Sequence, residues 1–190
     1  MKYIKHLIFA FGLIFIISGC SVKGIEFTPN FNSINDLKDT NLKSVNVKKN
    51  NFVGIGTENS VSLGRGSNVM TSPYGGSFQE YLEISLKEEL LQASLYSENS
   101  NIIITPKLLK NTLDTGMSVG MAELSANFII EIENKEVFSK TYTIQQEWES
   151  SFVAATAVPR TLDNYPIAIQ KLIDVFLLDA DVQKLLKKQI

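Results

Sequence analysis

The chain of 190 residues has one cysteine, Cys20, and one histidine, His6. A single thiol excludes an internal disulfide, so any fold must be held by its core alone. Triad hydrolases need an imidazole base, and His-ligated zinc or iron sites need imidazole. His6 lies within the apolar leader, read below as cleaved, so no metal site and no cofactor are expected in the remainder, and only a carboxylate-only active site stays open there. Positive charge is scarce as well, with 18 Lys+Arg against 20 Asp+Glu. Nucleic acid needs clustered basic residues, so it is not an expected partner. Beyond residue 19 no stretch approaches the roughly 18 uncharged apolar residues of a spanning helix.

One apolar run does stand at the start. Lys2 and Lys5 precede Leu7–Ile17, which is followed by small Ser18 and Gly19. A run of roughly 10–14 apolar residues is too short for a bilayer span and typical of a signal-peptide core. The sequence Ile17-Ser18-Gly19-Cys20 resembles the lipobox of bacterial lipoproteins. The resemblance implies a signal peptide over 1–19, cleavage between Gly19 and Cys20, and lipid on the Cys20 sulfur. An uncleaved anchor and an ordinary secretory peptide are the alternatives. A single acyl chain holds a protein marginally and two or more hold it stably; the resemblance implies three. Ser21, in place of Asp, is similar to the outer-membrane sorting signal of enteric bacteria, and the periplasmic face is the expected location. Cleavage would remove Lys2, Lys5 and His6, leaving 16 basic against 20 acidic residues and no histidine. A mildly acidic remainder disfavours anionic headgroups and nucleic acid alike.

Residues 20–41 are polar and weakly periodic, and read as a lipidated N-terminus and flexible tether. A single α+β domain is expected over 42–190. Its first strand material is Leu42–Val47 and Phe52–Ile55. Six of the 11 glycines fall between Gly54 and Gly76, so 57–76 reads as a long loop or loose hairpin, flexible and exposed. Phe78, Leu82, Leu86, Leu90 and Ala93 form one stripe of a helix over 77–95, with Ser77 and Glu80 in capping-box spacing. Strands follow from Ile102, from Leu124 to Ile132 and from Phe138 to Trp148, the last two joined by the polar turn 133–136. Small apolar residues over 150–158 fit neither period and stop at Pro159. A last helix opens at Asn164 as N-cap, and a short one runs from Val182 to Lys188. A mostly antiparallel sheet of about four strands with two main helices on one face is the economical arrangement.

No catalytic residues are singled out. The Gly64-Arg65-Gly66-Ser67 stretch lacks the lysine of a phosphate-binding loop. Glu147 and Glu149 share a strand face, which suits solvated charge as well as an acid/base pair. Trp148, Phe152, Val153 and Val158 are the candidate partner-binding residues, being apolar without a clean buried period.

The order of elements, and the phrase Tyr81-Leu82-Glu83 through Leu91 followed by strands and a terminal helix, resembles the YajG-type lipoproteins of Gram-negative bacteria. That resemblance covers roughly residues 42 to 188 and implies outer-membrane attachment and no established enzymatic activity. The expected function is a non-catalytic binding or assembly module, held to its membrane by lipid, for another envelope protein. The alternatives are a carboxylate-dependent peptidoglycan or glycan enzyme and a lipid or small-ligand carrier.

Overall fold

Apolar and polar residues alternate over Val119–Ile132, so one face of that strand enters a core and the other meets solvent. Ala122, Leu124, Ala126, Phe128 and Ile130 are fully buried, while Glu123, Ser125 and Asn127 between them are not. This strand, β6, is the centre of the fold in a computed structural model that describes residues 20–187. It pairs antiparallel with β5 (Ile102–Asp114) on one side and β7 (Lys135–Glu149) on the other. The β6–β7 turn is two residues, Glu133 and Asn134, both at positive φ (53° and 64°). That backbone matches the twist of the flanking strands, and asparagine tolerates it well. A bulge between Leu108 and Lys110 shifts the β5 register, so burial passes from even positions to Asn111 and Leu113.

A two-residue strand, β2 (Asn46–Val47), pairs parallel with β5 and completes the order β2-β5-β6-β7. Where β2 stops, the Gln79 side chain takes over its hydrogen bonds. Its Nε2 donates to the Pro106 carbonyl at 2.9 Å, and its Oε1 accepts from the Leu108 N–H at 2.7 Å. Pro106 has no N–H to offer this side, so β2 has less to pair with beyond Ile104.

The helices α2 (Phe78–Gln92) and α3 (Ala154–Leu177) cover one sheet face, giving the α+β architecture expected from sequence. Ser77 caps α2 by accepting from the Glu80 N–H at 3.1 Å. Phe128 stacks on Phe176 of α3 at 4.1 Å between ring centroids. Phe78, Tyr81 and Tyr165 meet at 5.3–6.2 Å in tilted and edge-on pairs. A short α4 (Ala180–Leu186) follows α3, capped by Asp179.

Three sequence readings are corrected. The final long helix starts at Ala154, not at Asn164, and runs through both Pro159 and Pro166. An interior proline costs about 3 kcal/mol. Burial of Tyr165, Ile169, Leu172, Ile173, Phe176 and Leu177, about 1.5–3 kcal/mol each, exceeds that. Thr161 Oγ1 and Asn164 Nδ2 also donate to carbonyls one turn back, those of Ala157 and Arg160.

The 57–76 segment, read as a flexible, exposed loop or loose hairpin, does hold a hairpin of β3 (Ser60–Ser62) and β4 (Val69–Thr71), but a packed one. Leu63 and Met70 within it are fully buried, which anchors it to the domain. The 20–41 segment, read as a flexible tether, is built into the same unit. Its β1 (Ser21–Lys23) pairs parallel with β4, and α1 (Phe31–Lys38) follows under an Asn30 cap. Phe27 and Leu37 are buried at 6% and 2% exposure. The order β1-β4-β3 forms a second, three-stranded sheet. The signal-peptide reading of 1–19 lies outside the described residues.

Candidate functional site

Cys20 is exposed and sits directly before β1, with its carbonyl accepting from the Val69 N–H at 3.2 Å. Strand directions fix what shares its end of the molecule. β1 runs parallel to β4, so the start of β4 and the 63–68 turn lie beside Cys20. The Thr115 N–H donates to the Leu63 carbonyl at 3.0 Å, which joins this turn to the end of β5. The β5–β6 connection, the end of β7 and the start of α3 follow, since Val119 is opposite Glu149 and the Ser150 N–H donates to Ser118 O.

Arg65 clasps these loops together. Its guanidinium donates to the carbonyls of Gly116, Ser151 (2.7 Å) and Phe152 (2.8 Å). Ser150 Oγ adds a bond to the Thr115 carbonyl. Three of the five guanidinium N–H donors are committed to loop carbonyls, so Arg65 braces these loops together.

The four apolar candidates divide between core and surface. Trp148 is buried at 8% exposure, and its indole lies against Gly120, where a Cβ would come within 2.2 Å of Nε1. Val158 is partly buried against the core. Phe152 and Val153 are exposed at 75% and 57%. Glu147 and Glu149 stand on the solvent face of β7, and Glu149 pairs with Arg160 at 3.2 Å.

A cleft of about 370 Å³ lies elsewhere, at the start of α2, bordered by Lys49, Phe52, Ser77, Glu80 and Glu83. Its buried carboxylate is already committed. Glu83 accepts from the Asn50 N–H and from Gln79 Nε2, both at 2.8 Å. Burial raises its pKa, and these two bonds hold the rise down. The arrangement secures β5 against α2 and presents no nucleophile.

A second carboxyl pair lies between the helices. Glu89 of α2 is fully buried, and neither of its oxygens has a hydrogen-bond partner. Burial pushes its pKa to about 7, with the nearby Gln170 amide opposing and Asp174 reinforcing the rise. Asp174 accepts from Gln170 Nε2 (2.8 Å) and Ser33 Oγ (3.1 Å), and burial raises its pKa too. Gln170 Oε1 in turn accepts from the Asn30 N–H, so this network docks α1 on α3. Among the described residues, no group of three or more His, Cys, Asp or Glu is placed to hold a metal ion.

Sequence reasoning passed over Arg65, Gln79 and Glu89. Glu89 carried a signal, since it follows Leu86 by three residues and falls on the apolar stripe of α2. Arg65 carried none, because its partners lie 51 to 87 residues away.

No family model matches the chain, and no curated protein matches it either. Among solved structures it is similar to a Xanthomonas campestris protein of the family model DUF330. The TM-score is 0.58 at 13% identity, over 87% of this chain and 99% of that one. Weaker likenesses are a minor lipoprotein from Acinetobacter baumannii (TM-score 0.40, 19% identity, 57% of this chain and 87% of that one) and the rare lipoprotein B from Shewanella oneidensis (0.41, 11%, 55% and 87%). The Xanthomonas likeness extends over nearly the whole domain and establishes that its fold is one already seen in a bacterial protein.

Proposed function

We propose that the protein is a lipid-anchored lipoprotein of the bacterial cell envelope whose domain binds or helps assemble another envelope component without catalysing a reaction. The observation that carries this reading is Cys20. It follows a lipobox-like sequence, is exposed, and opens the folded domain. Ser21 supports outer-membrane attachment, as does the YajG-type order of elements, with the domain on the periplasmic side.

The binding half of the reading rests on β7. This strand of 15 residues forms an edge of its sheet, with exposed Thr141 and Thr143 at mid-length. Edge strands offer unpaired backbone groups to a partner strand. The alternatives have no comparable support. Glu147 and Glu149 sit apart from the α2 cleft, and that cleft opens to solvent.

In-cell photo-cross-linking from Thr141 and Thr143 tests the proposal. One recurring envelope protein is the expected product. Recovery of none, from a chain that is present and lipidated, overturns the binding function.

A further inference from the structure

The Cys20 end also carries the most concentrated apolar exposure on the described surface. Phe152 is 75% exposed, Met117 69%, Val153 57% and Val119 53%. Of the eight large apolar residues more than half exposed, these four lie on two short segments, residues 117–119 and 152–153, that Arg65 holds side by side. Exposed apolar clusters of this kind mark contact with a partner or a membrane.

The distance from Cys20 to the domain decides between them. A tether of 20 extended residues would reach roughly 70 Å and let the domain float free of its membrane. No such tether exists here, since Ser21 already pairs with Val69 and the Cys20 carbonyl is bonded to the same residue. Lipid on Cys20 would bring the surrounding end of the domain against the bilayer. We infer that the segments bearing Met117, Val119, Phe152 and Val153 dip into the lipid surface beside Cys20, forming a second, non-covalent contact that sets how the domain stands.

The charges around the tip suit a neutral surface. Arg65 and Arg160 are matched by Asp114 and Glu149, and Arg65 is spent on carbonyls. Entry therefore relies on apolar burial rather than attraction to anionic headgroups, and the acyl chains supply the strength that four side chains lack. The opposite end, at the β6–β7 turn, stands roughly 40 Å away along a 14-residue strand. β7 is left upright and its edge open to the periplasm, where a protein partner would meet it.

This inference rests on lipidation of Cys20, and the test separates the two. With the Cys20 sulfur occupied by lipid, a cysteine introduced elsewhere is the only free thiol. Met117→Cys, Phe152→Cys and, at the far end, Glu136→Cys are made in the full chain and labelled with an environment-sensitive fluorophore. Each is reconstituted in phosphatidylcholine vesicles carrying a nitroxide just below the glycerol backbone. The labels at 117 and 152 should shift to the blue and lose most of their emission to the nitroxide, while the label at 136 stays bright. Equal quenching at all three sites, in protein that carries fatty acid, overturns the membrane-dipping tip and leaves the anchor standing. Protein without fatty acid on Cys20 overturns both. A second variant, Phe152→Asp with Met117→Asp, should keep its fatty acid but make a label at Val153→Cys several-fold less quenched. Unchanged quenching in that variant also overturns the proposal.

Discussion

Replacing Glu89 by Gln should change how stability depends on pH more than it changes stability at acid pH. Glu89 is fully buried, and its pKa is displaced from 4.5 to about 7 by burial. Between these values the folded state holds a proton that the unfolded state has released, so stability falls as pH rises. The favourable contribution of the neutral carboxyl is complete below pH 4.5 and gone above about pH 7. At 1.36 kcal/mol per unit, the displacement amounts to about 3 kcal/mol. An amide in place of the carboxyl cannot ionise, so Glu89→Gln escapes this loss. Urea unfolding of both proteins, lacking residues 1–19 and carrying Cys20→Ser, should show a difference that grows by about 3 kcal/mol from pH 4.5 to pH 8 in favour of the variant. At about 2–4 °C per kcal/mol, the melting temperatures should diverge by about 6–12 °C over the same range. A difference that stays constant with pH would mean that Glu89 keeps an ordinary pKa despite its burial.

Leu37→Ala should cost about 2–5 kcal/mol in urea unfolding, as for any closely packed core leucine; a cost near zero would return residues 20–41 to the role of tether. Gly120→Ala places a methyl 2.2 Å from the Trp148 indole nitrogen and should cost at least about 1–3 kcal/mol, with altered tryptophan fluorescence as a second readout. Asp179→Ala removes the α4 cap together with the partner of Lys140 (2.7 Å) and Tyr142 (2.9 Å), and should cost about 1 kcal/mol or more at neutral pH. Lys140 holds the Asp179 pKa down at about 2, so this contribution is present above pH 3.8 and lost as pH falls toward 2. Thermal melts at pH 7 and pH 2.5 should therefore differ most between wild type and variant at pH 7.

Local chemistry made much of this fold legible. The α2 stripe with its Ser77 cap, the alternation along β6 and the Glu133–Asn134 turn each specify their element within a few residues. What escaped was specified from a distance. Leu37 and Phe27 are isolated apolar residues in a polar stretch, and only packing against helices far along the chain makes them core. β1 pairs with a strand 48 residues away, and three residues carry too little pattern to announce it. Pro159 and Pro166 read as stops because propensity is local, whereas the buried face that overrides them spans 24 residues. The candidate site shows the same division. Cys20 could be read from its four-residue context, and Phe152 and Val153 from their lack of periodicity. Trp148 and Val158, read together with them, face inward. The Arg65 clasp that makes the exposed pair part of the Cys20 end depends on three loops meeting in space.

The most direct measurement is the mass of the N-terminal peptide of the protein extracted from cell envelopes. The expected peptide begins at Cys20, without residues 1–19, and carries covalently bound fatty acid that is absent in Cys20→Ala. An N-terminal peptide that begins elsewhere, or begins at Cys20 with a free thiol, would contradict the lipid anchor.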